Sequence, residues 1–171
     1  MISKNVEEAL INQIQLEEQS SRIYMAMASW CEVNGFPGAA RFLYTHSDEE
    51  RTHMTKLIKY VNDKGGYATL QLLEQPDNDF KSLLDIFEKI LKHEEFITES
   101  INTLYEVAFN QKDFTTSQFL QWYIEEQIEE ESTFKGILDK FRLAGNQTGG
   151  LFHLDKELDA LSVAPATGTT I

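Results

Sequence analysis

The chain has 171 residues, a formal net charge of −13 and a sequence pI of about 4.7, with 42% hydrophobic and 25% charged residues. That length suits one domain with a real core, and so large an excess of acid repels nucleic acid and anionic membranes, so neither is expected as a partner. A single cysteine, Cys31, excludes an intrachain disulfide and any cysteine cluster for zinc or iron–sulfur.

Only 3 prolines and 9 glycines occur, several of them grouped where helices would have to stop, which predicts long uninterrupted helices. The opening Met1-Ile2-Ser3-Lys4-Asn5 runs into a charged amphipathic segment without the apolar core of a signal peptide. No apolar run is long enough to span a bilayer, so a cytoplasmic setting is the expectation.

The first helix is predicted over residues 6–32, ending at Asn34-Gly35. The second opens near Pro37, where proline suits a first turn, and runs to Lys64 before Gly65-Gly66. The third begins after Asp79-Phe80 and ends near Asn110; the fourth covers 115–143 and is closed by Gly145. Short turns make the first and second helices, and the third and fourth, antiparallel neighbours. Residues 65–79 between the pairs could reach roughly 50 Å, against roughly 42 Å for a 28-residue helix. One long crossover therefore joins two helical hairpins.

A short fifth helix is expected from Gly149 to Leu161, with Leu151, Leu154, Leu158 and Leu161 on one side. It is too short to stand alone and needs something to pack on. The expected division is a single domain over 1–161, with the bundle in 6–143, and a flexible tail over 162–171.

Following each core stripe at three- and four-residue spacing exposes polar residues where apolar ones belong. The third helix reads Leu83, Phe87, Ile90, Glu94, Ile97, Ile101, Leu104, Ala108, and the fourth Leu120, Tyr123, Gln127, Glu130, Phe134, Ile137, Phe141. The first reads Val6, Leu10, Gln13, Glu17, Ser20, Tyr24, Met27, Cys31, and the second Ala39, Leu43, His46, Glu50, His53, Leu57, Tyr60. In every stripe the acid falls near mid-helix, so the four should meet at one level.

An unpaired buried carboxylate costs several kcal/mol, and four together also repel one another. No lysine or arginine sits in these stripes to neutralise them, so the charge must come from outside. Two divalent cations would balance Glu17, Glu50, Glu94 and Glu130, with His53 as a nitrogen ligand. Glu50-Arg51-Thr52-His53 sets a carboxylate and an imidazole one turn apart, and Gln127-Ile128-Glu129-Glu130 repeats that spacing. Oxygen-rich sites with one or two imidazoles suit iron or manganese better than zinc or copper.

These residues closely resemble the bacterial non-haem ferritins. The resemblance runs through Glu17 and Tyr24, Glu50-x-x-His53, His93-Glu94, and Phe119-Leu120-Gln121-Trp122-Tyr123 leading into Glu126-Gln127-x-Glu129-Glu130, and on to Lys156-Glu157-Leu158. It implies an all-α, ferritin-like four-helix bundle with a short C-terminal fifth helix. It also implies a ferroxidase: Glu17, Glu50 and His53 hold the first iron, Glu94 and Glu130 the second, Glu50 bridges and Gln127 stands beside. Tyr24 would hydrogen-bond a ligand and lend an electron, or else only fill the core. A third iron is implied at Glu49, Glu126 and Glu129, with Glu130 as link; the alternative is a solvated acidic face. The iron would be oxidised by O2 or H2O2 and stored as mineral inside a hollow homo-oligomer of about 24 subunits.

The chain departs from haem-binding bacterioferritins, having Arg51 and Thr52 where those carry methionine between Glu and His, so no haem is expected. His46 and His153 fall outside the motif and read as structural, His93 as a possible support to the site, and Met54 and Trp122 as packing. Alternatives left open are a di-iron redox enzyme or peroxide scavenger not specialised for storage, and a metal-free acidic bundle.

Overall fold

The computed structural model describes residues 2–145 and 148–162, and within them every element is helical: α1 (Lys4–Val33), α2 (Pro37–Asp63), α3 (Leu83–Asn110), α4 (Phe114–Ala144) and α5 (Thr148–Ser162). The ends differ from the sequence-based bounds by one to three residues, and local capping chemistry accounts for several. The Ser3 hydroxyl accepts from the Val6 amide, drawing the start of α1 back to Lys4. Ser82 accepts from the Asp85 amide at 3.1 Å while Asp85 accepts from the Lys81 amide at 3.1 Å, so α3 starts at Leu83 rather than directly after Phe80. Asp113 caps α4 through the Thr116 amide.

Gly35 and Gly65 take φ of +82° and +81° just past α1 and α2, the left-handed conformation that lets the next amide return to the helix. Phe36 donates to the Cys31 carbonyl and Gly66 to that of Val61 in this way.

The crossover runs extended along α1. Tyr67 donates its amide to Glu7, Gln15 donates to the Leu72 carbonyl at 2.7 Å, and Gln19 both donates to and accepts from the Glu74 backbone. Those partners rise together along α1 and the strap, so the chain is carried back the length of the bundle before α3 begins. This is the expected single long crossover between two hairpins.

Two apolar clusters fill the bundle. One contains Tyr24, Leu43, Phe87, Ile90, Phe134 and Phe141, and reaches Leu154 and Leu158 of α5. The other contains Val6, Leu10, Leu57, Ile101, Leu104 and Leu120. They occupy opposite ends of the same four stripes, and the residues between them are polar.

The fifth helix finds its support on α2 of its own chain. Asp155 accepts from the Gly38 amide at 3.1 Å and the Ala39 amide at 2.9 Å, capping α2, whose own N-cap residue Phe36 makes no side-chain cap. A Cβ at Gly38 would lie 1.9 Å from the Asp155 carbonyl oxygen, so only glycine lets the helices approach this closely. Leu154 and Leu158 are buried, Leu151 is half-buried, and Leu161 turns outward, so the four leucines do not form one buried row. Gly149 and Gly150 lie inside the first turn of α5. Of the tail expected over 162–171, Ser162 closes α5 and 163–171 lie outside the described residues.

Candidate metal centre

Each bundle helix delivers its acid to the level between the apolar clusters. Glu17 from α1, Glu50 from α2 and Glu94 from α3 are 1%, 4% and 0% exposed, with His53 and Gln127 also buried. Packing dictates that depth: Ile90 and Ile97 on either side of Glu94 are in the core, as are Ile14 beside Glu17 and Met54 beside Glu50. Neither lysine nor arginine pairs with Glu17, Glu50, Glu94 or Glu130 among the described residues.

Glu17, Glu50 and His53 bring ligand atoms within 4.8 Å of one another. His53 Nδ1 stands 3.9 Å from Glu17 Oε2 and 3.5 Å from Glu50 Oε2. These separations are too long for hydrogen bonds and fit ligands arranged around an ion. Gln13, itself buried, donates to Glu17 Oε1 at 2.9 Å, and Ser100 of α3 donates to the Gln13 oxygen at 2.7 Å. One oxygen of Glu17 is thereby engaged and the other is turned toward His53.

Glu94 is gripped on both oxygens. The Tyr24 hydroxyl donates to Oε1, and Gln127 Nε2 donates to Oε2 at 3.0 Å. Gln127 is held in turn near Thr98, whose hydroxyl donates to Glu131. Tyr24 thus does more than fill the core. Burial, then the charge of Glu94, pushes its hydroxyl well above the usual tyrosine range, which keeps it a donor.

Burial is also the main cause that raises the carboxyls of Glu17, Glu50 and Glu130 well above the ordinary range. The charge of Glu50 adds to this for Glu17, and that of Glu94 for Glu50 and Glu130. Oε2 of Glu130 is buried with no hydrogen-bond partner, the lone such side-chain atom among the described residues. An orphaned carboxylate oxygen beside other acids fits a cation site, since only a proton or a metal relieves it.

The three residues expected at a third site are less enclosed. Glu49 is part-buried with a side chain 33% exposed, Glu126 is part-buried, and Glu129 is exposed. Glu49 falls within ligand distance of His46 and Glu130 rather than of Glu126 and Glu129. Sequence reasoning left His46 as structural and passed over Gln13 and Ser100. Gln13 and His46 both stood in the core stripes, and a polar residue there was the signal. Ser100 lies outside any stripe and gave none.

His93 packs between α3 and α1, with Nε2 2.7 Å from the Ser20 hydroxyl. Trp122 lies edge-on to the His53 ring at 5.3 Å, and Lys56 caps its outer face. A groove of about 660 Å3 between α3 and α4 touches the centre through Gln127 alone among the acids' partners. No helix among the described residues is long and apolar enough to cross a membrane.

Comparison with known proteins agrees with this geometry. Residues 7–144 match the model of the Ferritin family, described as "Ferritin-like domain". The chain is 45% identical over 164 residues to a protein of Campylobacter jejuni named bacterial non-heme ferritin, covering 96% of this chain and 98% of that one. A protein of the same name from Escherichia coli is 43% identical over 161 residues, 94% of this chain and 98% of its own. Among solved structures, an open pore ferritin from Archaeoglobus fulgidus superimposes with a TM-score of 0.92 at 38% identity, over 96% of this chain and 100% of that chain.

Proposed function

This chain belongs to the ferritin family, and from that premise we propose that it is an iron-storage subunit that oxidises Fe(II) at the mid-bundle centre and deposits the ferric product. The observation that carries the reading is the set of acids from four helices, with Glu17, Glu50 and Glu94 buried, Glu130 half-buried with one oxygen enclosed, and no lysine or arginine paired with them among the described residues. Iron is the substrate here, not a permanent guest.

Glu17, Glu50 and His53 hold the first Fe(II); Glu94 and Glu130 hold the second, with Glu50 between the two and Gln127 alongside. Each Fe(II) yields one electron to dioxygen. Hard carboxylate oxygens stabilise the ferric over the ferrous ion, which drives the step. The chain supplies dryness, alignment and proton control. Gln13 leaves one oxygen of Glu17 free for metal, and Tyr24 steadies Glu94 and is placed to lend a further electron. Metal binding releases the protons that burial otherwise keeps on these carboxyls.

Glu49, Glu126 and Glu129 continue the acid outward from the pair, with Glu130 between, and so form a route along which the product leaves. Storage needs an enclosed volume that one bundle does not contain. The chain therefore assembles into a hollow homo-oligomer, for which about 24 copies is the family-based expectation. Purified protein given Fe(II) in air should develop ferric absorbance in a fast phase, and the triple variant E17A/E50A/E94A should lack it. Equal rates in both would overturn the assignment.

A further inference from the structure

Thr98 lies one turn after Glu94 on α3, and Glu131 one turn after Gln127 on α4, so each shares a helix face with a residue of the centre. The Thr98 hydroxyl donates to Glu131 Oε1 at 2.7 Å, and Lys135, a further turn along α4, donates to Glu131 Oε2 at 2.6 Å. A threonine hydroxyl has one hydrogen, and here it is spent on Glu131. Toward the Gln127 nitrogen, 3.3 Å away, Thr98 can therefore only accept.

That restriction decides which way the Gln127 amide points. Its nitrogen lies 3.0 Å from Glu94 Oε2, 3.3 Å from the Glu94 backbone carbonyl oxygen and 3.3 Å from the Thr98 hydroxyl. All three are acceptors, so the two N–H hydrogens belong at this end. A reversed amide would set its oxygen against a carboxylate and a carbonyl, and only a hydrogen from Thr98 would relieve it. Glu131 takes that hydrogen away. Tyr24 donates to the other oxygen of Glu94, so with the amide locked the carboxylate is held at both ends. Glu94 and Gln127 are buried, whereas Thr98 and Glu131 are half-buried and line the groove between α3 and α4. The latch thus stands between the centre and solvent.

We propose that Thr98 and Glu131 are positioning residues for the second ion of the pair: their hydrogen bond fixes the sense of the Gln127 amide, and the amide fixes Glu94. Neither touches metal. The inference rests on the proposed function, which places an ion at Glu94. Partners that orient a ligand without binding the metal are each worth about 10–100-fold in affinity. Because the latch acts through Glu94, it tunes the second ion and not the one at Glu17 and His53.

Zinc, which has no redox chemistry, is the probe for the test. Metal-free assembled protein is titrated with Zn(II) by calorimetry, and the binding step lost in E94A marks the ion at Glu94. T98V and E131A should each weaken that step by about tenfold and spare the step lost in H53L. Assembly size and melting temperature are recorded to show that both fold. T98S, which keeps the hydroxyl, should bind as wild type does. In a Q127L background, T98V should add nothing. Wild-type affinity in T98V or in E131A overturns the inference. A T98S as weak as T98V also overturns it, because the methyl group and not the hydroxyl would then matter. So does a further loss from T98V in Q127L, because Thr98 would be acting on something besides Gln127. A wild type with no zinc step sensitive to E94A would overturn the pair itself, and the inference with it.

Discussion

At the corner where α5 meets α2 and α4, Asp155 accepts from the Gly38 and Ala39 amides, Asp159 meets Arg41 at 2.6 Å and Glu157 meets Lys140 at 2.7 Å. At mid-bundle, Glu17, Glu50, Glu94 and Glu130 meet amides, a hydroxyl, a histidine and one another. The same kind of side chain thus joins elements at one place and keeps them in tension at the other. A carboxylate with donors supplied by the fold is cement, and one that the fold buries without a counter-charge is a request for a cation. Only the second kind needs a ligand from outside, and the two should respond oppositely to removal.

Removing Glu50, which the proposed function places between both ions, should have the largest effect. Residues that merely orient ligands cost 10–100-fold, so E50Q should slow Fe(II) oxidation by more than about a hundredfold. The same change should stabilise the metal-free protein at neutral pH by about 1 kcal/mol or more, since glutamine is neutral in the core without first taking a proton from solvent, as the raised Glu50 must. A lower melting temperature for metal-free E50Q would mean that Glu50 is cement after all.

Changing Asp155 should produce the reverse pattern. D155A removes two hydrogen bonds from backbone amides to a charged group and should cost about 2–3 kcal/mol. Hydrogen exchange would show it as early opening of the α5 amides, with Fe(II) oxidation per folded subunit preserved. Unchanged protection of α5 would show that Leu154 and Leu158 dock the helix by themselves.

A smaller effect is expected at Gln13, which orients Glu17 without touching metal. Q13L should weaken the first divalent ion by about tenfold, measurable by calorimetry with Zn(II). Equal affinities would show that Glu17 needs no alignment.

The smallest shift concerns pH. The folded values of Glu17, Glu50 and Glu130 are raised, so the metal-free folded chain holds protons that the unfolded chain releases. That stabilising contribution is whole below the unfolded carboxyl value of about 4.3 and drains away as pH rises through the raised folded values. As pH rises from about 5 the melting temperature of metal-free protein should fall, and it should fall less in E17Q/E50Q. Parallel slopes would show that these carboxyls do not couple to folding.

Much of this was legible in the residues themselves. The stripe of α3, with Glu94 alone among apolar neighbours, announced a buried acid, and the same break in three other stripes placed them at one level. Fifteen or so residues after Gly65 were enough to require a crossover, because extended chain outreaches a helix. The Glu50-x-x-His53 spacing set a carboxylate and an imidazole on one face, and the structure brings them to 3.5 Å. Periodicity and length are local properties, and they need no partner to be read.

His46, Ser100 and Asp155 could not be assigned that way. What His46 faces is a carboxylate of α4 that arrives 84 positions later, and Ser100 meets Glu17 only through Gln13 on another helix. Asp155 is one exposed-looking acid among many until α5 folds back across Gly38. The amino-acid order determined which groups would be forced out of water, because burial follows from the helical repeat. Which of them meet, at what distance and through which atom, was decided by tertiary packing, since hydrogen bonds and ligation depend on ångström separations between segments remote in the chain.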